Sequence, residues 1–107
     1  MASKIKSPLM DELFEAILLL TTIEECYAFF EDICTINEAQ SLAQRLAVAK
    51  MLQEKKTYTE ISEKTGASTA TISRVNRALQ YGADGYKMIL DRLKEDTTGK
   101  VSSHKGE

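Results

Sequence analysis

Apolar side chains recur every three or four residues along most of the chain, which is the spacing of one face of an α-helix. Over residues 8–20 they form a broad stripe, with acidic residues on the other side. The same spacing over residues 23–34 predicts four buried side chains, Cys26, Tyr27, Phe30 and Cys34. In residues 37–54 it predicts one face made of Leu42, Leu46, Ala49 and Leu52. No stretch alternates apolar and polar residues long enough to indicate a sheet, so the pattern predicts an all-α protein.

Helix starts are marked by the pattern Thr-x-x-Glu, which begins at Thr22, Thr35 and Thr57. The threonine hydroxyl accepts from an amide of the first turn, and the glutamate accepts from the amide of the threonine, so two open donors are satisfied. Ser7 followed by Pro8 predicts a fourth start. The predicted elements are helices over 8–20, 23–34 and 37–54, two short helices within 57–81, and a last helix over 86–94.

The chain of 107 residues is long enough for one modest core but not for a separate catalytic domain. We therefore expect one helical domain over residues 1–94. From Glu95 to Glu107 only Val101 is a sizeable apolar side chain, which predicts a disordered polar tail.

Residues 57–81 have the features of a helix-turn-helix. Thr57 begins the first helix, Gly66 ends it where a left-handed residue is needed, and Ser68 caps the second helix. Helical geometry places an apolar side of the second helix against the first. The residues predicted to pack in this corner are Ile61, Ile72, Val75 and Leu79.

The opposite side of the second helix is small, polar and basic. Small side chains let the helix enter a major groove, hydroxyls can bond base edges or phosphates, and arginines can neutralise phosphate or bind guanine. The predicted DNA-contacting residues are Thr59, Ser68, Thr69, Ala70, Thr71, Ser73, Arg74 and Arg77. Two alternatives stay open: a glycine-linked helix pair is common in helical bundles, and surface arginines often pair with an acid such as Glu63.

The charge distribution supports the same region. Residues 1–43 hold 2 lysines against 8 acidic residues, whereas residues 44–81 hold 7 basic residues against 3 acidic ones. Phosphate binding depends on the local field, so the net charge of −2 does not exclude nucleic acid.

Other chemistry has little support in the sequence. The single histidine, His104, lies in the predicted tail, and Cys26 and Cys34 lack the spacing of a metal or redox motif. We expect reduced core thiols, no enzymatic activity, no cofactor and no metal. No apolar run reaches the roughly 18 residues that span a bilayer, and no basic signal-peptide region precedes the leucines, so we expect a cytoplasmic protein.

The run GASTATISR at residues 66–74 resembles the recognition-helix signature of the bacterial Trp repressor family. The resemblance extends over about residues 7–94. The runs YTEI at 58–61, SRV at 73–75 and YGADGY at 81–86 are similar to the YerC/YecD-type branch of that family. The resemblance implies an intertwined homodimer of about six helices per chain, with a shared core and two projecting DNA-binding heads.

The resemblance gives evidence both for and against a small-molecule effector. Arg74 matches the arginine that contacts the corepressor carboxylate, and Arg45 matches a second arginine beside the indole if one gap is allowed. The glycine that leaves room for the indole is Val75 here, and the serine near the amino group is Ala78. We therefore expect no response to tryptophan: the protein is either ligand-free or binds something else. A protein-interaction module on the same scaffold, without specific DNA binding, is the alternative function.

Overall fold

The computed structural model describes residues 3–104, with side chains described over residues 3–96. All regular structure in this part of the chain is α-helical, which confirms the all-α prediction. The helices are α1 (Pro8–Ile17), α2 (Ile23–Ile33), α3 (Ile36–Gln53), α4 (Tyr58–Thr65), α5 (Thr69–Tyr81) and α6 (Gly85–His104). None of these described helices is long and apolar enough to cross a membrane.

The predicted caps are present at the helix starts. Before α4, the Thr57 hydroxyl accepts from the Glu60 amide at 3.1 Å, and the Glu60 carboxylate accepts from the Thr57 amide at 2.8 Å. Thr35 and Glu38 form the same pair of bonds before α3. Ser7 caps α1 by accepting from the amide of the third helical residue. Local sequence therefore fixes where these helices begin.

The cap of α2 has an altered partner. The Thr22 hydroxyl accepts from the Glu25 amide as expected, but the Glu25 carboxylate accepts from the backbone amide and hydroxyl of Thr21. These hydrogen bonds favour the ionised carboxylate and lower the pKa of Glu25.

Two helix ends differ from the prediction. Helix α1 ends at Ile17 instead of Leu20, because the amides of Leu19 and Leu20 bond three residues back in a tight turn. Helix α6 continues to His104, so the predicted disordered tail from Glu95 onward is corrected for residues 95–104. After Gly85 at its start, α6 contains no proline and no further glycine before Gly99, so no helix-breaking residue lies near residue 95. Residues 105–107 lie outside the described part of the chain.

The chain divides into two compact units, residues 1–39 and 40–107. The described residues of the first unit, 3–39, include no buried residue. The second unit contains a compact apolar core, supplied by α3, α4, the turn between α4 and α5, α5 and α6. Its members are Val48, Ala49, Ile61, Ala67, Ile72, Val75, Leu79 and Leu90.

The predicted burial of the α2 face is wrong for the single chain. Cys26 is exposed, Tyr27 is 67 % exposed, and Phe30 and Cys34 are only half-buried. The expected face of α3 is partly corrected as well. Ala49 is buried and Leu52 is half-buried, whereas Leu42 and Leu46 are exposed. Periodicity identifies which side of a helix is apolar, but it does not say whether the same chain covers that side.

Candidate nucleic-acid interface

The corner between α4 and α5 is held by local hydrogen bonds. Gly66 ends α4 in the left-handed region, at φ 75°, and its amide donates to the Ser62 carbonyl at 2.8 Å. The Thr65 hydroxyl donates to the Ile61 carbonyl at 2.7 Å and accepts from the Ala67 amide at 3.1 Å. The predicted stop at Gly66 is confirmed. The part played by Thr65 was not predicted, although a hydroxyl beside a helix-ending glycine is the signal that points to it.

The inner side of α5 packs as predicted. Ile72, Val75 and Leu79 are buried together with Ile61 of α4, and Ala67 fills the corner between the two helices. Because these branched side chains occupy one side of α5, the helix has a single rotational setting relative to α4. That setting decides which residues face outward.

The outer side of α5 is open to solvent in this chain. Its first turn begins at Ser68, whose hydroxyl accepts from the Thr71 amide at 3.1 Å. Thr71 is half-buried, and the other predicted contact residues are exposed. These exposed residues are Thr59, Ser68, Thr69, Ala70, Ser73, Arg74 and Arg77. All the predicted contact residues except Thr59 therefore lie on α5 or on its N-cap, and Thr59 lies on α4.

The arginines of α5 carry no ion pair in the described part of the chain. Over residues 3–95 the ion pairs are Lys6 with Asp11 and Lys87 with Asp84. Neither of these ion pairs joins Glu63 to an arginine of α5, which was the alternative that the sequence left open. Their positive charges are therefore not neutralised by a carboxylate of this part of the chain, which leaves them able to attract an external anion.

A cavity of about 240 Å³ lies between α3, α5 and the start of α6. Arg45 of α3 and Arg74 of α5 both line it, so the structure brings together the two residues predicted to bind a ligand. The apolar part of its lining includes Val75 and Ala78. The full lining is Ser41, Arg45, Thr71, Arg74, Val75, Ala78 and Tyr86.

The sequence did not predict that Ser41 and Tyr86 would line this cavity. Tyr86 follows the turn after α5 and is half-buried against the core, so its ring reaches the cavity from the first turn of α6. The tyrosine after Gly85 is the only signal in the sequence that could have indicated this. Among the described residues, no group of three or more histidine, cysteine or acidic side chains is placed to hold a metal ion.

Comparison with known proteins identifies the fold and its lineage. The model of the family described as Trp repressor protein matches residues 9–94. The chain belongs to the Trp repressor family. Within it, the chain is similar to a Bacillus subtilis (strain 168) protein described as "Uncharacterized protein YerC", with 61 % identity over 99 residues that cover 92 % of this chain and 95 % of that protein. The resemblance predicted from the sequence, including the YerC/YecD-type branch, is confirmed.

Solved Trp repressor-like structures have the same fold. A candidate Trp repressor from Staphylococcus aureus is 59 % identical, with a TM-score of 0.82 over 85 % of this chain and 91 % of that one. A TrpR-like protein from Eubacterium eligens ATCC 27750 is 60 % identical, with a TM-score of 0.82 over 85 % of this chain and 94 % of that one. At these identities the helix pair α4–α5 is the helix-turn-helix of a Trp repressor-like fold.

Proposed function

We propose that this Trp repressor-family protein binds double-stranded DNA in a sequence-specific manner through α5 and acts as a transcriptional regulator of the repressor type, not as an enzyme. One observation carries the proposal. Packing of the buried inner side of α5 leaves the cationic outer side of the helix exposed, and the arginines there form no described ion pair. A helix held in this way matches the requirement for insertion into a major groove. A chromosomal site of action also supports a cytoplasmic location.

Each contact residue has a role that follows from its position. The first turn of α5 leaves the amides of Thr69 and Ala70 without partners inside the helix, and the positive end of the helix dipole favours a phosphate there. The small side chains of Ala70 and Ser73 permit close approach to base edges. Arg74 and Arg77 neutralise phosphate or donate to guanine. The proposed set is Thr59, Ser68, Thr69, Ala70, Thr71, Ser73, Arg74 and Arg77.

We propose that the protein works as a homodimer. Helices α1 and α2 and the turn between them expose large apolar side chains, such as Leu9 at 79 %, Leu18 at 83 % and Tyr27 at 67 %. Several large apolar side chains exposed in one part of the chain favour an interaction site there. An interface with a second copy of the chain would cover it, in the manner of an intertwined family dimer. Two-fold symmetry then calls for a near-palindromic operator whose half-sites are centred roughly one helical turn, about 34 Å, apart.

Selection of bound duplexes from a random pool, repeated at two salt concentrations, tests DNA binding directly. The expected result is a near-palindromic consensus whose affinity falls steeply as salt rises, because counterions are released from the phosphates that arginines neutralise. Arg74→Ala and Arg77→Ala should each weaken binding and reduce the salt slope by about one. Arg92→Ala, which removes an exposed arginine of α6 instead, is the matched control and should leave binding unchanged.

The alternative function is a protein-interaction module on the same scaffold. The modest positive charge of residues 44–81, 7 basic against 3 acidic, is the observation that favours it. A protein partner needs no steep salt dependence and no particular response to loss of the arginines of α5. Failure to recover any consensus duplex at low salt would therefore decide for this alternative.

The arginine-lined cavity extends the proposal to an effector. Arg45 and Arg74 both line a cavity of about 240 Å³, and guanidinium groups favour carboxylate or phosphate oxygens. We propose that any effector bound there is a small anion and that it is not tryptophan, because Val75 fills part of the wall.

A further inference from the structure

Gln44 of α3 is hydrogen-bonded to the corner of the helix-turn-helix. Its side-chain amide nitrogen donates to the Thr65 carbonyl at 3.0 Å, across 21 positions of the sequence. Every other side-chain hydrogen bond described over residues 3–95 joins residues no more than 5 positions apart. We propose that Gln44 is a positioning residue that fixes the angle at which α5 is presented to DNA.

The Thr65 carbonyl needs a donor from outside its own helix. Thr65 is the last residue of α4, and the last carbonyls of a helix have no intrahelical amide to accept from. Left-handed Gly66 then turns the chain away, so the next amides point elsewhere. The half-buried Gln44 side chain supplies the missing donor, and its amide nitrogen also lies 3.9 Å from the position that a Cβ on Gly66 would take. The glutamine is thus bonded to Thr65 and lies beside Gly66.

Apolar packing defines the angle between α3 and the corner less sharply than a directional bond does. Val48 and Ala49 of α3 meet Ile61, Ala67 and their neighbours in an aliphatic core. Such contacts are non-directional, and small rotations between the helices change the buried area little. A hydrogen bond weakens steeply as its angle departs from linear, so the bond from Gln44 selects one orientation among those that the core permits.

The orientation of the corner matters for DNA because α5 begins only four residues after Thr65. A small tilt at Thr65 displaces Ser68 and Thr69, which carry the cap and the first open amide of α5. Binding sites lose affinity when their groups depart by more than about 0.5 Å from productive geometry. This inference rests on the proposed function, since it assigns to Gln44 the orientation of the same DNA-binding helix.

The test removes the donor and preserves the size of the side chain. Gln44→Met is compared with Gln40→Met, which makes the same change at an exposed glutamine one turn earlier on α3 with no described hydrogen bond. Affinity for the duplex recovered from the random pool is measured on the full chain well below the thermal midpoint of each variant. We expect the Kd of Gln44→Met to be roughly three- to tenfold higher than that of the unchanged protein. The Kd of Gln40→Met should stay within about twofold of the unchanged protein. A purely structural bond would lower the thermal midpoint without changing this affinity.

Amide hydrogen exchange of residues 66–70 gives a second readout that needs no DNA. Exchange in Gln44→Met should be several-fold faster than in Gln40→Met, because the corner then samples more orientations. Equal Kd values for the two variants overturn the proposal. If the unchanged protein binds no duplex, the proposed function fails together with the role of Gln44 toward DNA, and the exchange rates then test only whether Gln44 restrains the corner: faster exchange in Gln44→Met supports that restraint, and equal rates contradict it. If Gln44→Met does not fold, Gln44→Leu serves as the second variant that lacks the donor.

Discussion

Arg45 of α3 and Arg74 of α5 line one cavity, although they come from helices separated by α4 in the sequence. The side chain of Val75 stands next to Arg74 in the chain, is only 3 % exposed, and forms part of the same lining. Cationic groups and a branched aliphatic wall therefore share one small space. The cavity can pair with negative charge, but Val75 limits the width available for a flat ring.

The first prediction follows from this wall. L-Tryptophan added up to about 1 mM should give no saturable heat in a calorimetric titration of the protein, since the indole has no slot beside Val75. The matched measurement on Val75→Ala, which shortens the wall and keeps the arginines, tests whether the valine is the cause. Micromolar tryptophan binding by the unchanged protein would contradict the prediction.

The second prediction concerns two glycines on either side of one turn. A Cβ on Gly82 would fall far inside van der Waals contact of the Ala78 carbonyl oxygen, which accepts from the Gly82 amide, whereas a Cβ on Gly85 would meet nothing within 4 Å. Gly82→Ala should therefore lower the free energy of unfolding by at least about 1–3 kcal/mol. Gly85→Ala, at the first residue of α6, should raise it by about 0.4–1 kcal/mol. Chemical denaturation measures both, and equal effects of the two substitutions would show that the clash is relieved.

The positions of the caps and the corner could be predicted because each depends on residues within one helical turn. Thr57 with Glu60, and Gly66 before Ser68, carry their own hydrogen-bond partners nearby in the sequence. The outer face of α5 followed from the same local geometry. Prediction therefore succeeded where the interaction range is short.

Features set by distant neighbours could not be predicted in this way. Burial of Tyr27 depends on what covers α2, and helical spacing contains no information about that. The bond from Gln44 to Thr65 joins residues 21 positions apart, and Tyr86 reaches the cavity only through the path of α6. Arg45 was assigned to the cavity through a resemblance that needed a gap, because periodicity gives no reason to choose it.

The third prediction concerns the end of α3. The Lys56 amide donates to the Met51 carbonyl and the Lys55 amide donates to the Leu52 carbonyl, which is the bond pair of a Schellman motif, and Lys55 has φ 65°. A side chain in this left-handed conformation costs roughly 1 kcal/mol relative to glycine. Lys55→Gly should therefore stabilise the protein by about 0.5–1 kcal/mol in thermal or urea unfolding.

Lys56→Gly is the control for that change. It removes the same charge at the next position, where the backbone is not left-handed, so it should not stabilise the protein. A gain of the same size in both variants would indicate that charge, not backbone conformation, is responsible.

The last prediction concerns Glu60, whose carboxylate accepts from the Thr57 amide at the start of the helix-turn-helix. Hydrogen bonding to the Thr57 backbone, then to its side chain, lowers the pKa of Glu60 below its ordinary value of 4.5. The folded state therefore favours the ionised form more than the unfolded state does. Its contribution to stability is fully present above the unfolded pKa and is lost as pH falls through the lower, folded pKa.

Glu60→Gln should accordingly flatten the loss of stability on acidification between about pH 5 and pH 3. Glu63→Gln is the matched control, because it neutralises an exposed glutamate of the same helix that makes no described hydrogen bond, and it should keep the slope of the unchanged protein. Urea midpoints at a series of pH values measure the three slopes. If Glu60→Gln and the unchanged protein lose stability in parallel over this range, ionisation of Glu60 does not strengthen its bond to the Thr57 amide, and the prediction is wrong.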